Sequence, residues 1–277
     1  MRVFDRSGRP DPALPLAVCA MVSVISLILP GSTRAEPPEE FDISDFLRIV
    51  PTQARSPAGT VYILPGSSGF EIFGDTGHYR RAARDWGRRC YDVVMLDYRA
   101  AYIAAGRPRV GETGHRIAWA AEQARTYVDG LGLLAGHTNL LAAWSLGGEG
   151  IWALSEQGEG VNAWDAAILF YPSNQDDLNI APAFPSLAMV GMLDDVTPPR
   201  EVSTAAASNS FLDVVVFEDA RHGFDIASLE ESRTVRLFPF IGPSATFQYN
   251  ARAALSAVEE IDHFLERQSL PSCTPAP

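Results

Sequence analysis

The chain has 277 residues, 47% of them hydrophobic, and a formal net charge of −12. That length and apolar content suffice for one sizeable core, and the acidic balance argues against nucleic acid or an anionic membrane surface as partner. All 22 basic residues are arginine, which excludes Schiff-base, pyridoxal-phosphate, P-loop-lysine and Ser-Lys chemistry; the cysteines are too few for a thiolate zinc site, and with five scattered histidines and no H-E-x-x-H no protein-built metal site is expected.

The first residues carry Arg2, Arg6 and Arg9, then an apolar stretch from Leu14 to Leu29, then Pro30-Gly-Ser-Thr-Arg-Ala35 before the acidic Glu36-Pro-Pro-Glu-Glu40. A basic start, an apolar stretch and a small-residue boundary predict a secretory signal peptide over residues 1–35, and so an exported protein, periplasmic or extracellular. The competing reading is an uncleaved membrane anchor; an apolar segment shorter than about 18 residues is a poor span, and no stable membrane insertion is expected after cleavage. Cys19 lies inside the stretch and lacks the small residue that precedes a lipidated cysteine. Loss of residues 1–35 removes four arginines and two aspartates and leaves a still more acidic chain. In an oxidising compartment Cys90 and Cys273 can pair, tying the Pro-rich tail 269–277 to the body; two free thiols are the alternative.

Residues 36–268 read as one catalytic domain. After a polar entry segment, Thr60-Val-Tyr-Ile-Leu64 is a buried strand stopped by the loop Pro65-Gly-Ser-Ser-Gly69. A helix follows from Tyr79 to Arg89, a strand from Tyr91 to Asp97, an amphipathic helix from His115 to Gly130 and a strand from Thr138 to Trp144. Then come a helix from Gly148 to Gln157, strands over Asp165–Tyr171 and Ser186–Val190, and a helix from Pro198 onward. A last strand, Leu212–Phe217, and a closing helix, Ala251–Arg267, complete the order, with the least regular stretch, a loop or flap, at Ile226–Gln248. Short apolar strands alternating with helices predict an α/β fold with a mostly parallel, doubly wound sheet covered on both faces. Sites in such sheets form beyond the carboxyl ends of the strands.

Three polar groups fall at those ends. The run Asn139-Leu-Leu-Ala-Ala-Trp-Ser145-Leu-Gly-Gly-Glu-Gly150 is a strand that turns at once into a helix, the local shape that lifts a serine clear of the sheet. Gly147 and Gly148 supply small neighbours, while Ala143 replaces the first glycine of G-x-S-x-G. Asp194 follows another strand and His222 the last. A hydroxyl needs a base to take its proton, and the base needs a carboxylate to fix its tautomer. Ser145 is therefore the candidate nucleophile, His222 the general base and later acid, and Asp194 the orienting acid, with Asp195 its rival; either aspartate could instead cap the following helix. Two backbone N–H donors for an oxyanion are assigned to Leu146 and to Ser67, with Ser68 as the second choice for the latter.

At these residues the chain resembles the dienelactone hydrolase family within the α/β-hydrolase fold. The resemblance runs through Ile63-Leu-Pro-Gly-Ser-Ser-Gly69, Trp86–Asp97, Ser145-Leu-Gly-Gly148, Phe170-Tyr-Pro172, Gly191-Met-Leu-Asp194 and Ala220-Arg-His-Gly-Phe224. It implies a hydrolase in which the family's nucleophile, acid and histidine map onto Ser145, Asp194 and His222. The dienelactone hydrolases proper use a cysteine where this chain has Ser145, and many relatives begin the oxyanion loop with His-Gly where this chain has Pro65. Glu71-Ile-Phe-Gly74 looks like the family's glutamate-containing loop in a shifted register, and Glu71 receives no catalytic role.

Other polar residues receive weaker readings. His78 is expected at a helix start or on the surface rather than in the pocket, His263 in packing or on the surface, and Arg99, Arg107 and Arg109 in a solvated loop. Tyr171, Trp144 and Phe224 line an apolar pocket or pack in the core. The reading as a whole is a serine hydrolase that cleaves a small or medium carboxylic ester or lactone through an acyl-enzyme, without a cofactor. Its alternatives are a catalytically silent α/β-hydrolase that binds a ligand or protein, and the same triad used as a peptidase or acyltransferase.

Overall fold

The computed structural model describes residues 41–273 apart from 133–137, 157–162, 175–177 and 237–243. The expected signal peptide, Cys19 and the last four residues of the tail lie outside the described residues.

Seven strands form the main sheet: β1 (Leu47–Val50), β2 (Gly59–Leu64), β3 (Tyr91–Leu96), β4 (Asn139–Trp144), β5 (Ala166–Phe170), β6 (Ser186–Gly191) and β7 (Leu212–Phe217). Their spatial order is β1-β3-β2-β4-β5-β6-β7, parallel throughout except that β1 runs antiparallel to β3 at the edge. The expected mostly parallel sheet is therefore present, and β2, β3, β5 and β6 are buried along their whole length, in keeping with their mainly apolar sequences.

Side chains of each strand alternate between two cores. In β4, Leu140, Ala142 and Trp144 pack under α1 (His78–Arg88) and α6 (Ala251–Arg267). Leu141 and Ala143 pack on the other face, under α2 (Tyr98–Ala104), α3 (Thr113–Leu131), α4 (Glu149–Glu156) and α5 (Arg200–Ala206). The methyl of Ala143, where the G-x-S-x-G pattern has glycine, is accommodated there, fully buried. The α6 helix starts where the Asn250 side chain accepts the Ala253 N–H, and turns Ala253, Ala257, Ile261 and Phe264 inward at helical spacing.

Four elements were not foreseen. β1 is a half-exposed edge strand, α2 a single short helix, and the stretch expected to be irregular holds an antiparallel hairpin, β8 (Arg233–Arg236) with β9 (Ser244–Phe247), hydrogen-bonded separately from the main sheet. Cys90 and Cys273 are joined in a disulfide. The bridge lies beside the start of β3, at the opposite end of the sheet from Ser145, which follows the last residue of β4.

Candidate active site

Ser145 opens a 3-10 turn, Ser145–Gly148, immediately after β4, and its φ of 48° lies in the left-handed region that a non-glycine residue enters only under constraint. The constraint is the close approach of the neighbouring loop. A Cβ added at Gly147 would stand 2.4 Å from the Leu64 carbonyl oxygen and 2.9 Å from that of Pro65, so no larger residue fits at that position.

The structure brings Ser145, His222 and Asp194 together. Ser145 Oγ lies 3.1 Å from His222 Nε2, and His222 Nδ1 lies 2.8 Å from Asp194 Oδ2. His222 and Asp194 are buried, and the tilted ring of Tyr171, 4.4 Å from the imidazole centroid, covers one side of the histidine. Asp194 is held from its own loop: Oδ1 accepts the N–H groups of Val196 and Thr197, each at 2.8 Å, and Oδ2 accepts the Thr197 hydroxyl at 2.9 Å. The rival Asp195 faces elsewhere. Its two carboxylate oxygens accept the Thr246 N–H at 3.0 and 3.2 Å, which fastens β9 to this loop.

The serine faces a cavity of about 390 Å³ with Leu146 and Ser67 in its wall and Phe247 and Val235 of the hairpin among its lining residues. Of the three aromatics for which pocket lining and core packing were both open, Trp144 and Tyr171 line the cavity while belonging to the core, and Phe224 is packed in the core. The Ser67 loop is pinned at several points. The Gly66 N–H donates to Tyr79 Oη at 2.8 Å, the Gly66 carbonyl accepts the Gly69 N–H at 3.0 Å, and the Ser67 carbonyl accepts Arg99 at 2.8 Å. Arg99 thus has a defined contact with the loop, while Arg107 and Arg109 are exposed, as are Glu71 and His263.

Two residues that sequence reasoning did not single out support the site. Thr197 touches Asp194, the Tyr171 carbonyl at 3.2 Å and His222 Nδ1 at 3.2 Å; the signal for it was an aspartate with a threonine three residues on, the pattern of a side chain capping its own turn. Asp225 accepts the Trp144 indole N–H and the Tyr171 hydroxyl, both at 2.7 Å, and so clamps the two aromatics that flank Ser145 and His222. No local signal marks it, because its partners come from β4 and the end of β5.

His78 stands at a helix start, as expected, but its burial corrects the surface alternative. It is buried, not on the surface, with Nε2 3.6 Å from Asp225 and its ring edge-on to Trp144 and Tyr79. Burial holds its pKa below the usual 6.5; Asp225 and Asp75 oppose that shift and Arg81 adds to it. The unfolded chain therefore binds this proton more readily than the folded one, so stability present above pH 6.5 is lost as the pH falls toward the depressed value. His78→Phe, which keeps the ring packing, is expected to flatten the decline of Tm between about pH 7 and about pH 5. Melting curves of both proteins across that range check this, and parallel declines would refute it.

Among the described residues no three His, Cys, Asp or Glu side chains gather as a metal site, and no helix is long and apolar enough to cross a membrane. No protein-family model and no curated protein matches the sequence. Solved structures do. A protein from Klebsiella pneumoniae subsp. pneumoniae that carries the dienelactone hydrolase name superposes at a TM-score of 0.55 with 14% identity, over 80% of this chain and 99% of that one. Thermogutta terrifontis esterase 2 phosphorylated by paraoxon superposes at 0.54 with 17% identity, over 82% and 90%. The thermophilic esterase of that Planctomycetes species with butyrate bound gives 0.53 and 17%, over 83% and 91%. Likeness at such low identity shows the fold, and the chain has the α/β-hydrolase fold.

Proposed function

We propose that this protein is an exported serine hydrolase that cleaves small or medium carboxylic esters, lactones included, through an acyl-enzyme. The observation that carries the reading is the unbroken path from Ser145 Oγ through the His222 ring to Asp194, opening on the cavity at the carboxyl ends of the strands. Asp194 holds the Nδ1 proton of His222 and leaves Nε2 free to accept the serine proton. Ser145 Oγ attacks the ester carbonyl as that proton moves to Nε2, and Asp194 stabilises the imidazolium so formed. The carbonyl oxygen, now anionic, meets the N–H of Leu146, a first-turn donor without a partner inside its own helix, and the N–H of Ser67. Collapse breaks the ester bond, and the leaving alkoxide takes the proton back from His222. Water repeats the sequence on the acyl-enzyme and releases the acid; no cofactor enters any step.

The similar Thermogutta protein is named an esterase and becomes phosphorylated by paraoxon, chemistry that fits the same reading. Export is proposed from the N-terminal sequence and from the Cys90–Cys273 disulfide, which belongs to an oxidising compartment. The test is a fluorophosphonate probe on the secreted protein, with the adduct located by mass spectrometry, beside turnover of short-chain chromogenic esters. The adduct is expected on Ser145 together with measurable turnover. A protein that neither labels nor hydrolyses would end the proposal.

A further inference from the structure

Tyr79 stands in the first turn of α1, just beyond the loop that carries Ser67. Its ring is 1% exposed, edge-on to Trp144 at 5.3 Å and to Phe70 at 5.6 Å, so apolar packing fixes its direction. Tyr79 lines the Ser145 cavity, and its Oη accepts the Gly66 N–H at 2.8 Å. A phenol has a proton to give as well as a lone pair to offer. Among the described residues Tyr79 Oη donates to no acceptor. A buried donor without a protein partner is costly, so that proton belongs to whatever fills the cavity.

The location suits one atom of the substrate. A Cβ built on Gly66 would lie 3.4 Å from Ser145 Cβ and 3.7 Å from Tyr79 Oη, so serine and phenol flank the same bare glycine. We propose that Tyr79 Oη is a third donor to the oxyanion, beside the N–H groups of Leu146 and Ser67. The Gly66 N–H donating into Oη polarises the O–H outward and strengthens it as a donor. Burial pushes the phenol's pKa up, so the group stays protonated over the whole working pH range. The proton stays on oxygen through both acylation and deacylation; it is shared with the anion and not transferred.

This inference rests on the serine-hydrolase reading. Tyr79→Phe is expected to lower kcat for a short-chain ester about 100-fold with KM little changed, the size of loss that follows removal of one oxyanion donor. The loop should survive the change, because the Gly66 carbonyl keeps the Gly69 N–H and the Ser67 carbonyl keeps Arg99. A ring-fluorinated tyrosine installed at position 79 separates donating from mere positioning, and it covers the case in which the phenylalanine variant fails to fold. Fluorine makes the phenol a stronger donor and a weaker acceptor, so kcat holds or rises if Oη serves the oxyanion and falls if it only anchors Gly66. A fall, or a folded Tyr79→Phe variant with wild-type kcat, overturns the role of Tyr79 while wild-type labelling at Ser145 and ester turnover stand. Absence of both in the wild type overturns the hydrolase reading instead.

Discussion

Ser145→Ala is expected to lower kcat for a short-chain ester about 10⁶-fold, and adding His222→Ala to cost almost nothing more, because residues that act as one unit lose their effect together. Asp194→Asn should cost about 10⁴-fold, since an amide turns the histidine to the wrong tautomer while leaving the geometry intact. Asp195→Asn should leave kcat near the wild-type value, as its carboxylate serves the Thr246 N–H and not the imidazole. Steady-state turnover of these four variants and of His222→Ala alone, with melting curves to show that each is folded, measures all of this at once. Losses that multiply between Ser145 and His222 would mean that the two act independently, and an Asp195 loss matching that of Asp194 would reassign the acid.

The second large effect is on stability. Removing the disulfide with Cys90→Ser and Cys273→Ser is expected to cost about 2–5 kcal/mol, because the bridge joins residues 183 apart and so restricts a long stretch of unfolded chain. For a domain of this size that corresponds to a fall in Tm of about 5–15 °C. The bridge also holds the end of the chain in place, where the Cys273 N–H donates to the Arg89 carbonyl at 3.2 Å and the Tyr91 hydroxyl to that of Pro271. β3 spans six residues, or about 20 Å, between that end of the sheet and the end where the serine stands. The double variant should therefore melt earlier yet turn over substrate at an unchanged kcat at 25 °C. Calorimetry with parallel kinetics tests it, and an unchanged Tm would show that the bridge restricts nothing the fold does not already hold.

The central strands are legible in the sequence because burial on both faces removes every polar residue from a short run, as in Val61–Leu64 and Val93–Leu96. The serine turn is legible for a local reason as well: the tight approach to Leu64 and Pro65 demands glycine at 147. β1 is not, since an edge strand with Arg48 in its middle lacks the unbroken apolar run. The hairpin hides for the same reason, with arginines at both ends of β8 and only Ala245 of β9 buried. His78 shows where local reasoning ends. A polar residue at a helix start is ordinarily wet, and only the packing of α1 against Trp144 decides that this one is dry. Thr197 and Asp225 act on partners brought to them by folding, which no spacing along the chain announces.

Among the described residues the hairpin is held by the Asp195 grip on Thr246, the Gln248 N–H on the His222 carbonyl, the ring of Phe247 against Phe73 and His222, and the Arg233 guanidinium over the Phe73 ring. Val235, Arg236 and Phe247 of the hairpin line the cavity, whereas Ser145, Asp194 and His222 follow strands of the main sheet. The cavity can therefore be reshaped at Val235 and Arg236 alone, whereas Phe247, packed on the His222 ring, ties the hairpin to the candidate triad itself.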